Sequence, residues 1–486
     1  MGIVFKQSMN NSIITYLGFG IGALNTLVLY LNFMSPKYYG LIQVILSASL
    51  VLNPILAFGV PNTLVKFYSS FKNSATVDGF LTMMLLLPLA LILPVGAITF
   101  LGYEAIGDFL SRENPIVKGY IWHIFFIGMA MAYFEVFYGW ARVQMKSVFG
   151  NFMKEVFSRV MVFIMLFLLF FDVISVELYI HIMVGIYIFR TIVMKIYAYR
   201  LHTPKMVFNF PKNTRNILVY SALIILGGSV AVVLLEVDKV MINQFIEIEN
   251  VAYYSVAGFI AMVIAVPSRS MHQITYPMTA ELLNNRDTQG LKRLYQRSSL
   301  TLFIISGLLF LLILLNLDDM YNLMPEAYSN GYIIFVWLGL AKLYDSLMGN
   351  NNSILYNSDY YRAVLILGVL LAVMTILLNL WLIPKFGLNG AAIASFSALF
   401  TYNTLKITYV KLKFRMTPFT QETFTAGLLI VGTGLLFYFV HFPFHSIVNI
   451  IFKSLLITIF YVFILYRFRI SEDVYALLSK YMKKIR

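Results

Sequence analysis

Residues 363–383 read AVLILGVLLAVMTILLNLWLI, a run without a single charge. At 1.5 Å per residue a helix of this length is about 30 Å long, the thickness of a bilayer's hydrocarbon core. A membrane strand would be shorter and would alternate in polarity with period two, and this run does not. After Pro384-Lys385-Phe386-Gly387 a second apolar run occupies 388–410. The region therefore reads as two membrane helices joined by a tight connection.

The same pattern extends over the whole chain. About fourteen segments of roughly 20 mostly apolar residues can be marked, from 12–33 to 446–466. Among them are 152–171, 252–276, 328–349 and 422–441. The 486 residues are 60% hydrophobic and 12% charged, against about 25% charged in soluble proteins. Such a chain cannot hide its apolar surface from water, which excludes a soluble enzyme, a disordered scaffold and a nucleic-acid-binding domain. There is no cysteine, hence no disulfide framework and no thiolate metal site. The first segment is too long for a signal-peptide core and lacks a small-x-small cleavage pattern, so it reads as a retained helix.

The net charge of +14 reflects topology. Of the 36 basic residues, 25 fall in alternate loops and the tail, including Lys66, Lys72, Arg142, Lys205 and Arg293. The other loops hold only Lys37, Arg112, Lys118, Lys239, Lys385 and Lys453. The positive-inside rule then places both termini in the cytoplasm, which requires an even number of spans.

The two halves are related weakly. Tyr39-Gly40 and Val60-Pro61 in the first match Tyr254-Ser255 and Tyr276-Pro277 in the second at nearly the same spacing. Internal repeats are common in secondary transporters. The expected organisation is an N-terminal lobe over 1–205 (helices 1–6), a C-terminal lobe over 206–415 (helices 7–12), and helices 13–14 with a basic cytoplasmic tail over 416–486.

Four stretches carry a family resemblance. They are Ser35-Pro36-Lys37-Tyr38-Tyr39-Gly40, then 58–67 (FGVPNTLVKF), then Glu236-Val237-Asp238-Lys239-Val240-Met241-Ile242 running on to 252–257 (AYYSVA), and 383–394 (IPKFGLNGAAIA). In order and spacing the chain resembles the polysaccharide flippases of the multidrug/oligosaccharidyl-lipid/polysaccharide exporter superfamily. The resemblance implies an all-α polytopic membrane protein of about 14 transmembrane helices with a MATE-like V shape, alternating between inward-open and outward-open states. It implies a lipid-linked oligosaccharide as cargo, an undecaprenyl diphosphate carrier, and a bacterial cytoplasmic (inner) membrane setting. Membrane lipids and a polysaccharide polymerase or assembly machinery are the expected partners, with no nucleic acid.

Charges inside spans are costly, about 2.5–3.5 kcal/mol each on insertion scales, and so mark function or pairing. Arg190 in helix 6 has no partner at helical spacing. Arg269 lies in the last third of helix 8 on a face with Ala261, Ala265, His272 and Tyr276. Both suit an anionic headgroup, because the guanidinium fork matches a diphosphate. Lys66 at the inner end of helix 2, Lys342 and Arg159 complete the candidate substrate-binding set. Glu155 and Arg159 are spaced i, i+4 for a local ion pair. Lys342, Asp345, Ser346 and Gly349 form one polar stripe. Asp345, Glu135 and Asp238 are the candidate polar or ion-coupling groups. Glu135 has no basic partner at i±3 or i±4 within its helix, so it either pairs with another helix, the preferred reading, or carries a coupling proton. Asp238 and Lys239 read as locally paired or solvent-exposed. Tyr16 and Tyr30, on a helix 1 stripe with Ser12, Thr15 and Gly22, are candidates for stacking on sugars, with core packing the plainer alternative.

No P-loop, HExxH or GxSxG pattern occurs, so no nucleotide hydrolysis, catalytic group, cofactor or metal is expected. Coupling to a proton or sodium gradient is expected without a pattern that singles out its residue. Two transporter alternatives stand beside the flippase reading. A cation exporter would line its cavity with acids, yet Lys154, Arg159, Arg190, Lys342 and Lys406 outnumber Glu135, Glu155 and Asp345 within the spans. A lipid II flippase shares the topology but usually carries Arg in its first helices, and helix 1 here has none. A membrane enzyme such as a polymerase would need a sizeable loop for its site, and the external loops are roughly 15 residues.

Overall fold

The computed structural model describes residues 2–71, 74–476 and 479. Lys72, Lys480, Lys483, Lys484 and Arg486, counted above in the cytoplasmic charge, lie outside the described residues. Among the described residues there is no strand, and nine helices are long and apolar enough to cross a membrane. Their outward faces carry large apolar side chains such as Leu93, Phe100 and Leu101, exposed at 66%, 71% and 84%. In water such a surface would aggregate, and in a bilayer it is the solvated face.

Several expected spans are broken by identifiable chemistry. The 152–171 segment becomes a π-helical turn, Met153–Phe157, followed by Ser158–Phe170. The 252–276 segment is interrupted by a 3-10 turn at Val263–Ala265, and the helix resumes at Val266 with Pro267 in its first turn. The 328–349 segment yields only Tyr332–Ser346. Tyr361–Phe414 holds both apolar runs, 363–383 and 388–410, and Gly387 divides it at φ 56°, ψ −134°. A Cβ placed on Gly390 would lie 2.1 Å from the Leu382 carbonyl oxygen. Eight residues of straight helix would separate these positions by about 12 Å, so the chain reverses at Gly387. The count of fourteen is therefore not reached by length and apolarity alone.

The chain divides into two compact units, Met1–Ala252 and Tyr253–Arg486. The first is organised around Ile121–Val143, which packs against Pro36–Leu56 and Val176–Leu201. Lipid offers no hydrophobic drive between helices, so small residues and side-chain hydrogen bonds set the contacts. Ser49 donates to the Ile124 carbonyl at 2.9 Å. Trp140, Phe134, Phe80 and Leu64 form the buried cluster beside it. Pro36 sits in the first helical turn, where its missing N–H costs nothing. The helix ends at Phe58-Gly59, both left-handed, and Val60–Phe67 starts on a new axis. The long helix Thr214–Phe245 belongs to this unit.

In the second unit Thr288–Leu314 is covered by Gln421–Tyr438 and Ser446–Phe468. Leu311, Ile430 and Ile457 meet in their core, and the Tyr461 hydroxyl donates to the Ile304 carbonyl at 3.0 Å. Tyr332–Ser346 packs on the Tyr361–Phe414 region, and Asn351–Tyr356 lies beside both it and Val266–Asn284.

Candidate functional site

In the first unit the polar chemistry gathers on the helix that starts at Val148. The π turn Met153–Phe157 inserts one extra residue and frees a carbonyl, a distortion often found at functional sites. Arg159 uses that freedom. Its Nη1 donates to the Glu155 carboxylate at 2.7 Å and also to the Glu155 carbonyl. The guanidinium lies against the first helix where Gly18 and Gly22 leave room, and a Cβ on Gly18 would fall 2.4 Å from the Glu155 carbonyl oxygen. Asn25 begins a second π turn, Asn25–Leu29, and donates to the Arg159 carbonyl at 2.8 Å.

Beside this pair, Lys154 Nζ stands 2.6 Å from Glu135 Oε1. The expected partner from another helix is present, and Glu135 is an ion-pair member. Removing one partner strands the other charge. Glu135→Gln is expected to cost about 1–2 kcal/mol of stability, since Lys154 is partly exposed. Adding Lys154→Met to it is expected to restore most of the loss. Thermal unfolding of the detergent-purified single and double variants measures this, and additive losses would show that the pair does not act as one.

Arg190 is 6% exposed. Its Nη1 donates to Ser158 Oγ at 3.1 Å, and its guanidinium lies 4.2 Å from the Phe134 ring and 4.7 Å from the Tyr187 ring. Its Nε has no hydrogen-bond partner. Among the described residues no carboxylate comes within ion-pair distance of it. Glu135 and Glu155 act on it only from farther off. Lys154 and Arg159 each pair with one carboxylate of this cluster, Arg142 also acts on Glu135 from farther off, and Arg190 has no carboxylate at ion-pair distance among the described residues.

The remaining candidates of this unit lie elsewhere. Lys66 sits 3.8 Å over the Tyr220 ring, a cation–π contact. Asp238 is 2% exposed, which corrects the solvent-exposed reading: Thr214–Phe245 turns that face inward. Lys239 pairs one turn back with Glu236 at 2.9 Å, and Ser47 donates to the same carboxylate at 2.7 Å. Tyr30 is sealed, 5% exposed, stacked on Tyr39 at 4.4 Å and sharing a 2.7 Å hydrogen bond with Tyr179. It is core packing and unavailable to a sugar, while Tyr16 is 48% exposed.

A second cluster forms within the second unit. Asp345 Oδ1 accepts from Asn403 Nδ2 at 3.1 Å. Ser346, one residue on, accepts from Ser268 at 3.3 Å and donates to the Lys342 carbonyl at 3.0 Å. His272 lies within electrostatic range of both Asp345 and Lys406. Arg269 is exposed on the same helix, one turn before His272. Lys406 is fully buried at the centre of this group. Sequence reasoning counted Lys406 among the intramembrane charges without placing it at a site. The available signal was a lysine inside the 388–410 run, five residues before Lys411. Ser158 carried no signal, because only packing turns it toward Arg190, whereas Tyr187 stands three residues before Arg190 on the same helix and its spacing was the available signal.

A family model described as polysaccharide biosynthesis protein matches residues 5–283. No curated protein sequence matches the chain. Among solved structures the chain is similar to the lipid II flippase MurJ in an inward closed conformation, with TM-score 0.73 and 14% identity over 95% of this chain and 99% of that one. It is similar to an inward-facing multidrug resistance MATE family transporter of the MOP superfamily, with TM-score 0.62 and 14% identity over 83% and 94%. A MATE structure in the bent conformation gives TM-score 0.51 and 14% identity over 85% and 96%. At such identities the likeness concerns the fold, and that fold is the one the two transporter types share. Its apolar helices make this a multi-pass membrane protein, and the match over more than half of its length makes it a member of the polysaccharide biosynthesis protein family.

Proposed function

We propose that this protein translocates an undecaprenyl-diphosphate-linked oligosaccharide across the bacterial cytoplasmic membrane by alternating access, with both termini in the cytoplasm. The observation that carries the reading is Arg190, a buried guanidinium held between two rings with no carboxylate at ion-pair distance among the described residues. A cation in that setting calls for an anionic partner. A cargo diphosphate supplies one, with the planar fork suited to two of its oxygens. Arg159 is a further anchor in the same unit, and Arg269 is a separate anchor of the second unit. The glycan occupies water and the polyprenyl chain stays in lipid, so the long tail never crosses an aqueous cavity. Coupling to a proton or sodium gradient and hand-over to a polymerase belong to the same proposal. Nothing in it requires a catalytic group or a cofactor.

A leaflet assay tests the reading. The protein is reconstituted with a fluorescent polyprenyl-diphosphate oligosaccharide, and exposure to an external quencher is followed. Protein-dependent exposure is expected, slowed several-fold by Arg269→Ala. Folded protein that translocates no diphosphate lipid, yet protects cells in a drug-susceptibility panel, would establish the drug-exporter reading in its place. A preference for lipid II as headgroup would favour the peptidoglycan branch.

A further inference from the structure

We propose that a side groove of the first unit binds an anionic glycerophospholipid of the cytoplasmic leaflet, with an acyl chain in the groove and the phosphate on Lys195. The inference does not depend on the cargo. It uses only the orientation that places the end of Val176–Leu201 at the cytoplasmic face. The groove holds about 370 Å3, within the usual range of small-molecule sites, about 300–1,000 Å3. Three walls form it. Helix Ser74–Leu86 stops at Leu87-Pro88 and restarts as Leu89–Leu101, and Leu86 and Leu89 on either side of the break supply the first wall. Met129 and Phe137 of Ile121–Val143 supply the second. Ile188, Ile192 and Lys195, at i, i+4 and i+7 on Val176–Leu201, supply the third. Ile188 and Ile192 are exposed, so the groove opens to the side. The connection after this helix lies along Thr82, which donates to the Lys205 carbonyl at 3.3 Å and accepts from the Val207 N–H at 3.2 Å. Met206, between those two residues, is thereby held at the groove's inner end.

The lining is nearly all carbon. The Thr191 hydroxyl donates to the Ala130 carbonyl at 2.7 Å, and the Tyr133 hydroxyl to the Leu85 carbonyl at 3.2 Å, so neither is offered to a ligand. Such a wall suits a hydrocarbon chain and penalises a polar one. Charge enters at one place. Lys195 is the single charged residue of the lining. Among the described residues no carboxylate lies within ion-pair distance of it, and its Nζ stands 5.5 Å from the ring of Tyr199, one turn nearer the helix end. Lys195 is about 9 Å from Leu201 by helical rise, a distance its long side chain shortens by carrying the ammonium toward the headgroups. An apolar groove alone takes the chain of any lipid. The lysine at its mouth is what selects a headgroup with net negative charge. The plain alternative is that Lys195 is an ordinary positive-inside residue and the groove does not discriminate.

Native mass spectrometry of the full-length protein, titrated with lipid in detergent, separates the two. The probes are phosphatidylglycerol and phosphatidylcholine with identical chains. Phosphatidylglycerol is expected to bind about fivefold tighter, the effect of one lysine near an anionic headgroup. Lys195→Met is expected to remove that preference. Arg200→Met, on the same helix but outside the groove, is expected to keep most of it. Ile192→Trp fills the mouth without touching the charge, and is expected to weaken both lipids several-fold. Thermal unfolding shows which variants are folded. The site is overturned if the parent binds the two lipids equally, or if folded Lys195→Met keeps the preference. It is overturned as well if Arg200→Met loses as much as Lys195→Met, which would mean diffuse surface charge, or if folded Ile192→Trp binds both lipids like the parent. Farnesyl phosphate at equal concentration is expected to leave phosphatidylglycerol in place. Displacement would assign the groove to an isoprenoid phosphate and sink the phospholipid.

Discussion

Arg190→Gln slows translocation of a polyprenyl-diphosphate oligosaccharide by about ten- to a hundred-fold, while the protein stays folded. The magnitude follows from the contact. A hydrogen bond to a charged group is worth about 1.5–3 kcal/mol, and each 1.4 kcal/mol is a factor of ten. The guanidinium is held in place by Phe134, Tyr187 and Ser158, so little ordering cost is added when an anion arrives. Folding should not suffer. The side chain is buried without a carboxylate of its own, and replacing a desolvated charge by a neutral group of similar size is neutral or stabilising. Arg190→Lys should recover part of the rate, since the charge returns without the planar fork. The leaflet assay reads the rate and thermal unfolding reads the fold. An unchanged rate in folded Arg190→Gln would remove Arg190 from the anchor. A loss of stability equal to the loss of rate would make it a structural cation.

Gly59→Val is expected to unfold the first unit around the Phe58-Gly59 turn, with a loss of about 3 kcal/mol or more. Gly59 has φ 64°. A left-handed backbone costs an ordinary residue roughly 1–2 kcal/mol, and a β-branched one sits there worst. A Cβ would also lie 2.4 Å from the Ser221 carbonyl oxygen, a backbone atom that cannot step aside alone. Overpacking of that kind adds about 1–3 kcal/mol. Gly59→Asn separates the two causes, because asparagine tolerates the left-handed region but keeps the Cβ. It should lie between the parent and Gly59→Val in melting temperature. Parent-like melting of Gly59→Asn would show that helix Thr214–Phe245 gives way at Ser221 and that the backbone conformation alone is the constraint. The two glycine-containing signatures 58–67 and 383–394 thus each hold a left-handed glycine, at a change of helix axis in the first and at a chain reversal in the second.

Much of this was legible in the residues. The uncharged run 363–383 required a membrane, because its apolar groups have nowhere else to go. Gly387 marked the reversal between two spans. The i, i+4 spacing of Glu155 and Arg159 foretold their ion pair, which is local and needs no tertiary information. Where the reading fell short, the missing term was which face of a helix meets a neighbour. Tyr30 read as core packing first and as a sugar platform second, and Tyr39 and Tyr179 closing over it decide the matter. Asp238 read as locally paired or solvent-exposed from its place near a helix end, and packing buries it. The span boundaries moved for a related reason. Hydropathy averages over a window and does not register the π turn at Met153–Phe157 or the 3-10 turn at Val263–Ala265.

What the sequence determined by itself is the solvent and the local pattern. Apolar runs of bilayer length fix helices in a membrane, because an unpaired backbone in hydrocarbon is too costly for any open alternative. What only the tertiary structure decided is the electrostatic state of each buried charge. Glu135 is neutralised by Lys154 from another helix, whereas Arg190 and Lys406 meet rings, a hydroxyl and an amide at close range. The contacts with Tyr187 and Tyr402 lie at helical spacing, but Lys154 with Glu135, Ser158 and Phe134 with Arg190, and Asn352 with Lys406 join separate helices. Those distances follow from how the helices pack, which residue spacing along one helix does not encode.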